Sequence, residues 1–289
     1  MKKFFCFILA ACVIAGMCPA FAASGNARAV MGADLTDDQK QSVFDMFGAE
    51  RGTVTELTVT NAEEREWLSG LLDESVIGTR AISCVYVEPL GDGEGFEIEV
   101  YNVNWCTAEM YESAMITAGI DDAQIVVAAP FEVSGTAALT GIYKAWEDIT
   151  GEKLDDAAKT AAEQELVNTA ELSDYIGGVD ALELVRELKL LLVETGAMTD
   201  EELAEQIDAL ASEYDLELTE SQREKLIKFC RSLEGMSEEE LREKVEKVKD
   251  TIAKATEATE KAGKLITALK NVFAAIGRFF SGLFGKLRD

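Results

Sequence analysis

Histidine is absent from the 289 residues of the chain. Its absence excludes the Ser-His-Asp and Cys-His arrangements of nucleophilic catalysis. It also excludes the zinc and iron sites that need an imidazole ligand. Because no other motif in the sequence is typical of a cofactor or metal site, we predict neither.

Basic residues are scarce in this chain. There are 27 Lys and Arg residues against 54 Asp and Glu residues, which gives a formal net charge of −27 at pH 7. A chain of this charge repels nucleic acid phosphates, so we predict no nucleic acid partner. Since 48% of the residues are hydrophobic, the chain is not a disordered acidic tail.

The N-terminal residues have the order of a secretory signal peptide. Two lysines precede an apolar run over residues 4–17, and Ala20-Phe21-Ala22 supplies a suitable cleavage site. We therefore predict a signal peptide over residues 1–22 and a secreted, extracellular protein. Residues 9–12 resemble a lipoprotein cleavage box, but apolar residues follow where a polar tether is expected, so ordinary secretion is favoured.

Few cysteines remain after the predicted cleavage, namely Cys84, Cys106 and Cys230. An odd number of thiols cannot pair completely within one chain. Three scattered thiols also make a poor zinc site. We therefore expect free or buried thiols.

Residues 23–150 carry the pattern of an α/β domain with a mixed sheet of about five strands. Thr36 and Gln39 form a capping box at the start of the first helix. We expect Asn61 to cap a second helix over residues 62–72, and Thr107 and Gly119 to begin and end a third helix. A glycine-rich turn at residues 91–95 separates two strand-like runs and predicts a hairpin between them. The continuous apolar run over residues 123–129 predicts a strand in the middle of the sheet.

The rest of the chain carries only helical patterns. They predict a helical region over residues 151–236 and one long amphipathic helix over residues 237–289. An a/d stripe runs through residues 241–287, which favours packing along another helix and makes an oligomer conceivable. After Gly263 the apolar face widens and the charges become mostly basic, as in helices that lie on a membrane surface. Covering the protein's own core is the alternative. The predicted membrane- or partner-contacting residues are Phe273, Ile276, Phe279, Phe280, Leu283 and Phe284.

The loop that follows the apolar strand is the candidate site, and its candidate residues are Glu132, Ser134 and Thr136. A glycine-containing turn before a helix can offer backbone N–H groups to an anion. The loop lacks the P-loop, dinucleotide and nucleophile-elbow motifs. We therefore favour the simpler interpretation that Ser134 or Thr136 caps the following helix.

Several segments together resemble the YpuA-like family of secreted domains of unknown function from Gram-positive bacteria. The resemblance covers most of residues 28–180, and the block at 117–141 is its most specific part. It implies secretion and a cell-envelope setting, and it carries no catalytic residues with it. The segments are "MGADLT" (31–36), "TVTNAEEREWL" (58–68), "IGTRAIS" (77–83), "TAGIDDAQIVVAAPFEVSGTAALTG" (117–141) and "ELVNTAELSDYIGG" (165–178).

From these observations we predict a non-enzymatic binding or scaffolding module in the cell envelope, held at the outer membrane surface by its C-terminal helix. Its expected partners are an envelope protein or a cell-wall component, with peripheral membrane contact. The alternative is an extracellular hydrolase that uses carboxylates near residues 130–136. That chemistry requires Glu132 to converge with a second carboxyl group of different pKa.

Overall fold

The computed structural model describes residues 26–244, apart from 73, 196, 197, 235, 238 and 241. The strands are β1 (Arg28–Gly32), β2 (Thr55–Val59), β3 (Cys84–Pro89), β4 (Phe96–Val103) and β5 (Ala123–Val133). The helices are α1 (Asp37–Phe47), α2 (Asn61–Leu68), α3 (Glu74–Ile77), α4 (Ala108–Ala118), α5 (Ala138–Thr150), α6 (Asp156–Ile176), α7 (Gly178–Thr195), α8 (Asp200–Glu213) and α9 (Glu220–Glu234). The predicted order of an α/β part followed by a helical part is confirmed.

The strands form one mixed sheet in the order β2-β1-β3-β5-β4. The outer pairs β1–β2 and β4–β5 are parallel, whereas β3 runs antiparallel to both β1 and β5. The prediction of a mixed sheet of about five strands is therefore confirmed, as is the interior position of β5.

The predicted hairpin of β3 and β4 is wrong, because β5 lies between these two strands. Residues 125–129 of β5 are buried, so this strand is stabilised by a neighbour on each side. The glycine-rich turn instead passes across the start of β5. There the Asp122 carboxylate accepts hydrogen bonds from the backbone N–H groups of Gly93 at 3.0 Å and Gly95 at 2.7 Å.

Helices cover both faces of the sheet. Helix α1 packs Phe44 and Phe47 on one face, against residues such as Tyr86 and Val126. Helices α4 and α5 cover the other face. A Cβ atom at Gly141 would lie only 3.1 Å from Val85 Cγ2, so this glycine lets α5 sit close to the sheet.

The predicted helix signals at the N-terminal half are largely confirmed. Thr36 and Gln39 form the predicted capping box. Thr107 accepts a hydrogen bond from Met110 N–H at the start of α4, and Gly119 ends that helix with φ 84°. Helix α2 (Asn61–Leu68) begins one residue and ends four residues earlier than predicted, because Thr60 forms the capping box with Glu63 and Ser69 is the C-cap.

The core of the sheet continues into the helical part. Ala162, Leu166 and Ala170 of α6 belong to the same hydrophobic cluster as the residues of α4 and α5. A second cluster joins α6 to α7, α8 and α9. The cysteines 84, 106 and 230 are free and buried, as expected.

Lys244, the last described residue, contacts the folded body. Lys244 Nζ donates a hydrogen bond of 2.9 Å to the carbonyl oxygen of Thr117, near the end of α4. Most of the predicted helix over residues 237–289 lies outside the described residues. So do most of the a/d stripe and all six predicted membrane-contacting residues. Within the described part, no helix is both long enough and apolar enough to span a bilayer.

Candidate functional site

The structure places the three candidate residues of the 130–136 loop in different environments. Glu132 is exposed, Ser134 is half-buried and Thr136 is buried. The Ser134 and Thr136 hydroxyl oxygens lie 3.4 Å apart. These residues are neighbours in the chain, but their different exposures show that they do not line one common cleft.

The prediction that Ser134 or Thr136 caps the next helix is wrong. Helix α5 has Ala137 at its N-cap and no side-chain cap, and the Ala138 N–H group donates to Gly135 O at 3.0 Å. Gly135 has φ 92°, and a Cβ atom there would lie 2.4 Å from Val103 Cγ1 and 2.5 Å from the Tyr111 hydroxyl. Ser134 and Thr136 therefore precede the helix without capping it.

The loop is tied to the connection between β4 and α4. The Val133 and Ser134 carbonyls accept hydrogen bonds from the N–H groups of Asn104 and Cys106. The Tyr111 hydroxyl donates to Gly135 O at 2.6 Å. These contacts fix the loop as part of the packed structure.

The structure does not bring together the carboxyl pair that the hydrolase hypothesis requires. Glu132 is exposed and makes no ion pair or side-chain hydrogen bond with another described residue. Glu163 is the buried acid near Tyr111, and it is fully inaccessible. One carboxyl group therefore faces solvent while the other lies in the core.

Ser113 and Lys189 also lie together, with Lys189 Nζ 3.2 Å from Ser113 Oγ. The Lys189 ammonium forms an ion pair with Glu165 at 2.8 Å, and it also donates to the Thr117 hydroxyl at 3.1 Å. Ser113 and Thr117 donate to the Glu165 carboxylate. Because all four side chains are buried, this cluster is a satisfied internal network and offers no route for a substrate.

A cavity of about 120 Å³ lies between α6, α9 and the connection from α2 to α3. Concave sites with a few converging polar groups are the usual places where proteins bind small ligands. Its lining residues are Gly70, Leu71, Gln164, Val167, Asn168, Ser221, Glu224, Lys225 and Lys228. We define these nine residues as the α6–α9 cavity.

Two carboxamide side chains from α6 line the cavity without internal partners. Gln164 Oε1 is buried and has no hydrogen-bond partner. Asn168 is 6% exposed, and its side chain makes no hydrogen bond to another described residue. Buried polar groups are nearly always paired, and an unpaired one costs about 1–3 kcal/mol. Asn168 keeps a small exposed area, so its side chain is the one of the two that can contact a ligand in the cavity.

Charged side chains of α9 stand at the rim of the cavity. Lys225 is already paired, because its Nζ lies 2.6 and 2.7 Å from the two carboxylate oxygens of Glu171. Glu224 and Lys228 are exposed, and within the described part of the chain neither side chain makes an ion pair or a hydrogen bond. Lys228 is therefore the cation that remains available to a ligand.

The cavity was not predicted from the sequence. Its residues come from three segments that lie far apart in the chain, and they match no known motif. The one local signal is the run of polar residues in the middle of α6, where Glu163, Gln164, Glu165 and Asn168 interrupt a helix rich in alanine.

Comparison with known proteins agrees with the resemblance seen in the sequence. The family described as "Protein of unknown function (DUF1002)" matches residues 31–254. The chain is 38% identical over 267 residues to the "Uncharacterized protein YpuA" of Bacillus subtilis (strain 168), which covers 90% of this chain and 92% of that protein. No solved structure matches the chain. The chain therefore belongs to the DUF1002 family of proteins of unknown function and is similar to YpuA.

Proposed function

We propose that this protein is a secreted, non-enzymatic binding module of the cell envelope, with the α6–α9 cavity as its ligand site. The C-terminal helix holds the module at the outer surface of the membrane. The expected partner is an envelope protein or a cell-wall component that reaches the cavity from outside.

The observation that carries the binding function is the α6–α9 cavity, where the polar side chains of Gln164 and Asn168 and the exposed charges of α9 surround an apolar wall. Such a combination is typical of ligand sites. The closed 130–136 loop offers no comparable opening.

The membrane contact rests on the sequence after Gly263. Burying a Phe or Leu side chain contributes about 1.5–3 kcal/mol, and partial burial at an interface contributes less. Lys and Arg residues near anionic headgroups add about 1 kcal/mol each. Lys244, the last described residue, lies beside the end of α4, where its Nζ donates to Thr117 O.

We expect the processed protein to co-sediment with vesicles of anionic lipid, and a chain that ends at Gly263 to remain in the supernatant. The removed residues contain all six aromatic and aliphatic side chains of the predicted contact face. Sedimentation followed by quantification of bound protein measures the difference. The substitution Phe279→Ser together with Phe280→Ser serves as a variant that keeps the full length.

The control is the thermal unfolding of both chains. If the shortened chain unfolds at a much lower temperature while the full chain stays in the supernatant, the segment packs on the protein's own core. That result would contradict the membrane contact and leave the cavity unaffected as a candidate site.

A further inference from the structure

We propose that the outer edge of β4 binds an extended segment of a partner protein in which basic and apolar residues alternate, and that this segment joins the sheet as a further strand. The inference goes beyond the proposed function, because it concerns a surface of the α/β part and does not depend on the cavity. Three features of β4 carry it: the outward backbone groups, an acidic row of side chains and a half-buried apolar row.

The backbone of β4 has one side that faces away from the sheet. The strand is the last in the sheet order, next to β5. Gly95 O accepts a hydrogen bond from the Ala123 N–H group, and in this register every second residue of β4 then bonds to β5. The N–H and C=O groups of the residues between them, Phe96, Ile98 and Val100, point outward. Since no described residue forms a hydrogen bond with these groups, an added strand can extend the ladder there.

The opposite edge of the sheet is less open. Strand β2 has five residues, and Lys144 Nζ donates to Thr58 O at 2.6 Å. Lys144 also pairs with Glu63 at 2.5 Å, so a side chain of α5 occupies part of this edge. Strand β4 has eight residues, and no described side chain bonds to its outward backbone groups. The edge of β4 is therefore the better place for an added strand.

The charges of β4 favour a basic partner. Glu97 and Glu99 are exposed, and neither forms an ion pair with another described residue. Glu99 is in register with Val126, which packs on the α1 side of the sheet, so both glutamates lie on that face. Glu88 of β3 lies in the same row as Glu97, on the far side of Gln124, and adds a third carboxyl group. Because opposite charges on neighbouring strands stabilise a sheet, Lys or Arg residues beside Glu97 and Glu99 are favoured.

A second copy of this chain is a poor match for the same edge. Two β4 strands that pair antiparallel about a twofold axis place the same faces side by side, so Glu97 and Glu99 meet the same two glutamates of the other copy. The net charge of −27 adds repulsion between the whole chains. Charged residues on an edge strand commonly prevent such self-pairing. The partner must therefore bring the opposite charge.

The other face of β4 supplies apolar contact. Phe96, Ile98 and Val100 are half-buried and pack against the cluster between the sheet and the helices α4 and α5. An added strand would cover part of the surface that they leave exposed. Valine or isoleucine residues on this face of the partner continue the apolar layer. A segment in which basic and apolar residues alternate matches both faces at once.

The test titrates the purified full-length protein with a fluorescein-labelled peptide of four Val-Lys repeats, and fluorescence anisotropy measures binding. A peptide of four Val-Glu repeats has the opposite charge. Two further basic peptides carry N-methyl groups, one on its valines and one on its lysines, and keep the charge of the parent. We expect saturable binding of the basic peptide and none of the acidic one. One methylated peptide should bind about tenfold more weakly, because its ladder donors are removed, and the other should bind like the parent.

The double variant Glu97→Lys with Glu99→Lys tests the acidic row. Both side chains are exposed, so the fold is expected to remain intact. The variant should bind the basic peptide about tenfold more weakly and should gain binding of the acidic peptide. Glu201→Lys with Glu205→Lys is the matched control, because it reverses two exposed charges on α8 and should change neither affinity.

Three results would overturn the proposal. Equal binding of both methylated peptides and the parent would show attraction to an acidic surface without an added strand. Equal losses in the two double variants would show that affinity follows the net charge of the chain. Absence of saturable binding, or binding only by the chain that ends at Gly263, would show that the edge is closed in the full-length protein.

Discussion

Lys189→Met is expected to lower the free energy of unfolding by about 3–5 kcal/mol, because it leaves the buried Glu165 carboxylate without its cation. Lys189 is 3% exposed and Glu165 is 1% exposed, so water cannot replace the lost partner. Burial lowers the pKa of Lys189, and the neighbouring Glu165 carboxylate offsets part of this shift. Urea unfolding at pH 7 measures the loss.

Lys153→Met is the matched control for the buried pair. Lys153 also pairs with a glutamate, Glu147 at 2.9 Å, but its side chain is 87% exposed. Exposed pairs contribute about 0–1 kcal/mol, so the control should lose little stability. The double variant Lys189→Met with Glu165→Gln should be more stable than Lys189→Met alone. Similar small losses for both lysines would contradict the account of the buried network.

Glu163→Met is expected to raise the free energy of unfolding by about 1–3 kcal/mol at pH 5, and by more at pH 8. Both carboxyl oxygens of Glu163 are buried without a hydrogen-bond partner. Burial raises the pKa of Glu163 well above its usual 4.5, so the folded protein keeps this carboxyl protonated. Methionine has a similar length and places no polar atom of this kind in the core.

The sign of the pH dependence follows from proton binding. Above pH 4.5 the unfolded chain releases the proton of Glu163 while the folded chain retains it, so stability falls as the pH rises. Burial also raises the pKa of Glu64 and of Glu187 to about 7, and these residues act in the same direction. The stability contributed by these two protonated groups is therefore present below pH 4.5 and lost as the pH rises to about 7.

Glu163→Gln separates the effect of ionisation on stability from the effect of burying polar atoms. The amide has nearly the shape of the protonated acid and cannot ionise, so this variant should match the wild type at pH 5 and exceed its stability at pH 8. Urea titrations at both values measure the difference. A variant that is equally destabilised at both pH values would show that Glu163 has a partner in solution, which would contradict its isolation in the core.

Local signals in the sequence were sufficient to predict most elements of the fold. Thr36 with Gln39, Thr107 and Gly119 set helix ends through contacts within a few residues. Strand order depends on contacts between distant residues, and for this reason the hairpin prediction failed. The glycines of the turn resemble hairpin residues, but their N–H groups bind Asp122 at the start of β5.

The cavity could not be predicted from local sequence signals either, because it also depends on contacts between distant residues. A glutamine, an asparagine and a lysine on helices resemble residues on a solvated face until the packing of α6 against α9 is known. Conversely, the 130–136 loop resembles a site because glycine and hydroxyl residues follow a strand. The structure shows that Gly135 is there because the backbone passes against Val103 and Tyr111.

The central claim is that the α6–α9 cavity is a ligand site, and crystals soaked with a mixture of small polar compounds test it most directly. The account predicts ordered density in the cavity, with donor or acceptor atoms within hydrogen-bond distance of the Asn168 carboxamide or of the α9 side chains that line the cavity. Lys228→Gln crystals should retain density for neutral compounds and lose it for carboxylates. A cavity that remains filled only by water, or by side chains that pair Gln164 and Asn168 internally, would contradict the claim.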